Sequence, residues 1–382
     1  VERTLFTEDH ESYRDVVREF VAREIQPNHD KWEADRWIDR DVFRKAAEAG
    51  IYALEVPEAY GGAGETDYRY RVVCAEETER VHATSFGVTL GLQDDLVLHY
   101  LLDLSNEEQK ERFLPGFAKG DVIGALAMTE PGAGSDLRGI RTSAVRDGND
   151  WILNGSKTFI SSGIMADVVI VACRTDPDAG SKGFTLLLVE DGMEGFERGR
   201  KLDKLGLPAQ DTSELFFHDV RVPGANVLGE VGRGLQALMS HLPRERLGVS
   251  LQAMTAMRAV YDSTLEYCRT REAYGEPITA LQAVRFDLAE IATEIDIAQA
   301  YFDASVTAYN RGALSPVDAA KGKWWTTELC KKVVDTCLQL HGGYGYMKEY
   351  PVARAYTDTR IQSIYGGTTA VMKEIIGRDL AL

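Results

Sequence analysis

The residues with the clearest chemical potential start with one carboxylate. In LPRERL, Leu242 to Leu247, Glu245 stands between Arg244 and Arg246 inside an apolar helical pattern that includes Leu238, Met239, Leu251 and Met254. Pro243 lacks the amide hydrogen that a helix interior needs, so a break is predicted there and Glu245 is expected near a helix beginning. Facing an apolar cavity, its proton affinity would rise toward that of a useful base. Facing water, it is a surface acid among arginines, and the segment alone leaves both readings open.

Two glycine-bearing segments could receive a ligand. In MTEPGAGSD, Met128 to Asp136, small residues follow Pro131 and end at Ser135, a loop that bares its amides to an anion or a flavin edge. Taken alone, the segment is better explained as an ordinary tight turn. Its glycines, with the next at Gly139, have the wrong spacing for G-x-G-x-x-G, so a Rossmann nicotinamide site is disfavoured. In QLHGGYGYMKEYPVAR, Gln339 to Arg354, a helix is expected to end at His341 before Gly342, Gly343 and Gly345. That pattern suits a helix cap, or a backbone surface approached by a ligand or a second subunit.

Composition narrows the classes. With 43 basic and 60 acidic residues the formal charge is -17, which repels polyphosphate and makes nucleic acid an unfavourable partner. The five cysteines, Cys74, Cys173, Cys268, Cys330 and Cys337, lack C-x-x-C spacing, so no metal centre is expected and a reducing compartment fits. Cys330 and Cys337, two helical turns apart, read as small residues on a buried face more readily than as a redox pair. No apolar run has the length of a membrane helix, and VERTLFTEDH is too polar for a signal peptide. A soluble, non-membrane protein of a bacterial cytoplasm is expected, or of the mitochondrial matrix if a transit peptide has been removed.

Three units must position these segments. Residues 1–120 read as helices: Tyr13, Val16, Val17, Phe20 and Val21 recur at helical spacing, Pro57 and Gly61–Gly64 interrupt, and Glu76 to Leu104 and Asn106 to Lys119 resume the pattern. Residues 121–229 read as short strands, WIL, DVVIVAC, FTLLLVE and LFF, separated by Asp147-Gly148, Asn154-Gly155 and Asp219. With no helices between them, an antiparallel barrel or sandwich is favoured. Residues 230–382 carry three long helical patterns, through Leu235 to about Arg269, Ala280 to about Asn310, and Val317 to about Leu340. The fold class is α+β with three units packed as one body.

MTEPGAGSD, FISSG, LGLPAQDT, REAYGEPI, QLHGGYGYM and IYGGT, in this order over almost the whole chain, resemble motifs of the acyl-CoA dehydrogenase family. The resemblance implies an N-terminal helical domain, a central β domain and a C-terminal four-helix bundle, with FAD as cofactor and a homotetramer as the usual assembly. Leu126, Ala127, Met128, Thr129, Gly134 and Ser135, with Phe159, Ile160 and Ser161, would embrace the isoalloxazine ring. Ser135 would also approach the substrate's pantetheine. Arg271, Gln282, Gln339, Leu340, His341, Gly342 and Gly343 would contact FAD of a neighbouring subunit, and Thr368 and Thr369 the adenine dinucleotide. Phe159 stands where many members have Trp, and Ala370 where a Glu is common.

The departure that matters is in IYGGT, because common members carry their catalytic glutamate where this chain has Gly366. Long-chain and isovaleryl-CoA dehydrogenases place it on an earlier helix, and LPRERL resembles that site, with Glu245 in the required position. The resemblance then implies that Glu245 removes the α proton of an acyl-CoA while the β hydride goes to flavin N5, leaving a trans-2-enoyl thioester. The thioester oxygen would accept from the ribityl 2′-hydroxyl and the Gly366 N–H. Gln236, Pro243, Arg246 and Gly367 are further candidates for the substrate pocket, and electron-transferring flavoprotein is the implied acceptor. Competing readings are a flavin oxidase or monooxygenase on the same scaffold, and a noncatalytic subunit that binds FAD or CoA.

Overall fold

The change from helical to extended patterning and back is realised in a computed structural model that describes residues 2–381. The first helices are α1 (Glu8–Phe20), α2 (His29–Asp35), α3 (Asp41–Glu48), α4 (Tyr68–Glu79), α5 (Thr84–Gly91), α6 (Leu98–Leu104) and α7 (Glu107–Ala118). The expected run from Glu76 to Leu104 is broken: α4 ends at Glu79, and His82, at φ 56°, turns the chain into α5. Between α5 and α6, Leu92–Val97 winds as a π-helix. Its extra residue per turn carries Gln93, Asp94 and Asp95 inward with the apolar side chains. The start of α7 is fixed chemically, since Asn106 Oδ1 accepts the Gln109 N–H at 2.9 Å and Gln109 returns its side-chain oxygen to the Asn106 N–H at 3.2 Å.

Eight strands follow, β1 (Gly124–Ala127), β2 (Ser143–Asp147), β3 (Asp150–Ser161), β4 (Val168–Arg174), β5 (Phe184–Glu190), β6 (Phe196–Lys201), β7 (Thr212–Val222) and β8 (Val227–Leu228). They form one sheet in the order β6-β7-β3-β2-β4-β5-β8, with β1 added beside β4. Most pairings are antiparallel, as expected, but β1–β4 and β2–β4 are parallel. Both faces of β4 are covered: Val168, Ile170 and Ala172 join the core shared with the N-terminal helices, while Val169, Val171 and Cys173 join a second core within the sheet. That double burial explains why DVVIVAC is continuously apolar instead of alternating.

Two of the expected strand separators lie inside strands. Asp147-Gly148 does turn the β2–β3 hairpin, but Asn154-Gly155 falls within β3 and Asp219 within β7. Asn154 Nδ2 donates to Asp219 Oδ1 at 2.8 Å and the Asp219 N–H donates to Asn154 Oδ1 at 2.9 Å, so the two irregularities face each other as a matched bulge. At φ 148° Gly155 lies against Thr142, whose side chain and Cα a Cβ would meet at 2.5–2.7 Å.

The C-terminal helices are α8 (Gly234–Thr270), α9 (Gln282–Asn310), α10 (Pro316–His341), α11 (Pro351–Asp358) and α12 (Thr369–Asp379), with a small hairpin of β9 (Glu272–Ala273) and β10 (Glu276–Pro277) after α8. Leu247, Leu251, Met254, Ile291, Ile295, Val333 and Cys337 meet in one core that also takes Tyr68 and Val72 from α4. Cys330 and Cys337 are free, buried thiols of this core. Among the described residues, no helix is long and apolar enough to cross a membrane.

Candidate active site

Helix α8 runs unbroken through Pro243, so Glu245 is mid-helix and not near a helix beginning as expected. The ring removes one ladder bond, from Met239, whose side chain is exposed. Burial of the helix on both sides of that turn holds it together: Leu238, Arg244, Arg246 and Leu247 are all buried.

Glu245 is half-buried and projects toward α6. The Tyr100 hydroxyl donates to Glu245 Oε1 at 3.1 Å, and the Tyr100 ring, fully buried, stacks on His241 with centroids 4.1 Å apart. Desolvation dominates the electrostatics and pushes the Glu245 carboxyl up to about 7; the Tyr100 hydrogen bond and the charges of His241 and Arg246 act the other way. A carboxylate in that range holds a proton or releases it near neutral pH, as a general base must.

The residues flanking Glu245 are fixed from opposite sides. Arg244, 4% exposed, donates to Tyr309 Oη at 2.6 Å and to the Asp94 carbonyl at 3.3 Å, pairs with Glu55, and lies 5.5 Å from the Tyr68 and Tyr309 ring centroids. Asp95 approaches it at 3.7 Å and pairs with buried Arg71 at 3.3 Å. Arg246, also buried, comes from the other side of α8 to the loop carrying Gly366 and Gly367, where Lys323 Nζ donates to the Gly367 carbonyl at 2.5 Å. Both glycines have positive φ, 62° and 97°. A Cβ on Gly366 would lie 3.4 Å from Val249 Cγ2, one turn beyond Glu245 on the same helix face. The loop and Glu245 therefore share one side of α8. Among the described residues the Gly366 N–H has no backbone acceptor.

A second cluster gathers on the sheet. Lys157, wholly buried, donates to Glu130 Oε1 and to the Met128 carbonyl, each at 2.9 Å, and the Thr158 N–H reaches the Thr129 carbonyl at 3.0 Å. Glu130 in turn accepts the N–H groups of Arg141 and Thr142 at 2.7 and 2.9 Å. These bonds lay the segment from Leu126 to Thr129 beside the segment from Phe159 to Ser161. The β3–β7 register slips between Lys157 and Ile160, and there Phe159 sits at φ 59° and is 67% exposed. An exposed aromatic in a strained backbone, beside a loop where a Cβ on Gly132 or Gly134 would meet nothing, fits a planar ring system docking on it. Ser135 lies exposed on the same loop.

The remaining candidates divide. Arg271 lies 5.5 Å over the Tyr344 ring, and Tyr267 stacks on His341 at 4.2 Å, so Arg271 and Gln339 to Gly343 form one patch at the end of the bundle. Gln282, exposed, opens α9 just beyond the β9–β10 hairpin, which leads out of Arg271. Thr368 caps α12 by accepting the Val371 N–H at 3.3 Å, and the Thr369 hydroxyl is taken by Glu328. Gln236 does not join Glu245: nine residues, two and a half turns, put it on the opposite face of α8, exposed and bonded to Arg233 at 2.8 Å. Pro243 likewise points away from Glu245. Sequence reasoning missed Tyr100 and Lys157; an aromatic and a lysine within apolar runs carried no mark beyond ordinary core patterning.

Comparison with known proteins agrees with this arrangement along the whole chain. Family models for the acyl-CoA dehydrogenase N-terminal, middle and C-terminal domains match residues 7–121, 125–220 and 232–381. The chain belongs to the acyl-CoA dehydrogenase family and is an oxidoreductase of that three-domain fold. It is 43% identical over 380 residues to the mitochondrial long-chain specific acyl-CoA dehydrogenase of Sus scrofa, covering 99% of this chain and 88% of the relative. A crystal structure of acyl-CoA dehydrogenase from Geobacillus kaustophilus is 44% identical, with a TM-score of 0.97 and full coverage of both chains. A glutaryl-CoA dehydrogenase from Mycobacterium smegmatis in complex with FADH2 is 30% identical, with a TM-score of 0.91 over 98% of this chain and 95% of that one.

Proposed function

We propose that this chain dehydrogenates the α,β bond of an acyl-CoA, with FAD as cofactor and Glu245 as the base. The observation that carries the reading is Glu245 itself, half-buried, bonded to Tyr100, held near neutral proton affinity and on the same side of α8 as the Gly366 loop. An α proton of a thioester is too weakly acidic for an ordinary carboxylate, so the oxygen that becomes negative must be stabilised as the proton leaves. The Gly366 N–H, with no backbone acceptor of its own, is the donor this chain offers, and loss of a side chain at that position leaves the donor intact. Desolvation strengthens Glu245 as a base, and Tyr100 aims its oxygen.

The residues that would hold FAD are Leu126 to Thr129, Gly134, Ser135 and Phe159 to Ser161, with Thr368 and Thr369 toward the adenine dinucleotide, and with Arg271, Gln282 and Gln339 to Gly343 serving the cofactor of a neighbouring subunit. When bound, FAD supplies the acceptor for the β hydride. The exposed aromatics around the Arg271 patch, Tyr274 at 96% and Tyr346 at 83%, support a second subunit covering it, as in a homotetramer. Gly366, Gly367, Arg246 and Ser135 would line the path of the thioester and pantetheine. Passage of electrons to an electron-transferring flavoprotein completes the proposal.

The test is anaerobic titration of purified enzyme with straight and branched acyl-CoAs of several lengths. Bleaching of the flavin band with formation of enoyl-CoA is expected. No bleaching with any acyl-CoA would refute the assignment in favour of a noncatalytic subunit, and rapid peroxide release on mixing with air would favour an oxidase.

A further inference from the structure

Against Tyr100, one helical turn before Glu245 on α8, lie two imidazoles and a carboxylate that the proposed reaction does not use. His99 and Asp103 are four residues apart and share one face of α6, and His241 reaches them from α8. His99 Nε2 is 3.5 Å and His241 Nε2 is 3.2 Å from the same oxygen, Asp103 Oδ2, and the three groups lie within 4.8 Å of one another. For a tetrahedral dication with bonds of about 2.0–2.1 Å, the distance between neighbouring ligand atoms is about 3.4 Å. Two of the three edges of the cluster already have that length.

The orientation of the His241 ring points the same way. Its Nδ1 lies 2.8 Å from the Ala237 carbonyl, so that nitrogen donates there and Nε2 is the atom turned to the cluster. The side chain is 6% exposed, and buried Nε2 makes no hydrogen bond although it is aimed into the cluster. A ring nitrogen and a carboxylate oxygen 3.2 Å apart need a positive charge between them, which a proton supplies in the metal-free protein and a bound dication replaces. His99 offers a second nitrogen from a side chain 20% exposed, and Asp103, 51% exposed, keeps the cluster open to solvent for a fourth ligand. Two imidazoles and one carboxylate suit borderline transition-metal ions better than Mg2+ or Ca2+, which prefer oxygen.

We propose that His99, Asp103 and His241 form a binding site for a transition-metal dication of the Zn2+, Co2+ or Ni2+ class, bridging α6 and α8 beside the catalytic base. The expectation of no metal centre rested on cysteine spacing, which does not register a His and an Asp one helical turn apart.

The test uses chelator-treated, flavin-loaded enzyme, with Zn2+ titrated by calorimetry and Co2+ by its visible absorption. One ion per subunit is expected, with a thermal midpoint that rises as Zn2+ saturates the site, since a ligand that binds only the folded state stabilises it. Affinity should fall as pH is lowered through the imidazole range. His99→Gln and Asp103→Asn should each weaken binding at least tenfold, and exposed Asp103 keeps the comparison available if the His99 variant does not fold. Equal affinity in wild type and Asp103→Asn, or no stoichiometric binding at 100 µM ion, would overturn the site.

Discussion

Replacing Tyr100 by Phe deletes one oxygen 3.1 Å from Glu245 Oε1 and leaves the ring in place, buried and stacked on His241. A hydrogen bond to a charged group contributes about 1.5–3 kcal/mol, and part of that survives when the acid is neutral. A difference of about 1–2 kcal/mol between the two protonation states is left, close to one pKa unit at about 1.36 kcal/mol per unit. The bond favours the carboxylate, so its loss raises the proton affinity of Glu245 from about 7 toward about 8. The acid limb of kcat/KM should move up by the same amount. At pH 7 the ionised fraction falls from about a half to about a tenth, a roughly fivefold loss that disappears above about pH 9. The assay is kcat/KM against pH with an acyl-CoA and an artificial electron acceptor, wild type beside Tyr100→Phe. An unmoved limb, or a loss of equal size at every pH, would refute the role given to this pair.

Glu245→Gln should retain FAD yet lose substrate-dependent bleaching, and full anaerobic bleaching by the variant would reject Glu245 as the base. Stability gives an independent reading of the same residue. Because burial raises the folded carboxyl from 4.5 to about 7, its ionised form costs stability above about 7, and the cost vanishes below 4.5. Glu245→Gln should therefore raise the melting temperature more at pH 8 than at pH 4.5, and equal shifts would contradict the burial argument. In a Glu245→Gly background, Gly366→Glu should restore part of the activity. Its φ of 62° costs an L residue about 1–2 kcal/mol, so the melting temperature should fall slightly, and no turnover in a folded double variant would separate the two positions. Lys157→Met strands buried Glu130 and should cost about 3–5 kcal/mol, read as a lower melting point and earlier flavin release; a stability unchanged from wild type would show that the pair does not hold the loop.

The order of helices, sheet and helices was legible because it rests on periodicity, which burial enforces over many residues at once. α8, α9 and α10 begin and end within a few residues of the expected runs. Single residues misled where tertiary contacts outweighed local rules. Pro243 does not break a helix buried on both sides, and Asn154-Gly155 does not turn a strand whose partner supplies Asp219 opposite. Glu245 was legible as the candidate base only through the family resemblance, since LPRERL by itself suits a surface turn as well. Its environment was not. Tyr100 reads as any core aromatic until α6 is laid against α8, and the pairs Lys157–Glu130 and Arg244–Glu55 join residues 27 and 189 positions apart. No spacing rule connects such partners.

The buried cage around Arg244 bears on stereochemistry. Successive residues of a helix point about 100° apart, so Glu245 cannot turn about the helix axis without pulling Arg244 from Glu55, Asp95 and Tyr309. A carboxylate anchored in this way approaches every acyl group from one direction. If Glu245 is the base, then of two hydrogens on the carbon beside the thioester it should take only one, the same one whatever the length of the chain. Acyl-CoAs deuterated at one or the other of these positions should lose label from a single configuration, and scrambling between them would mean that the carboxylate swings.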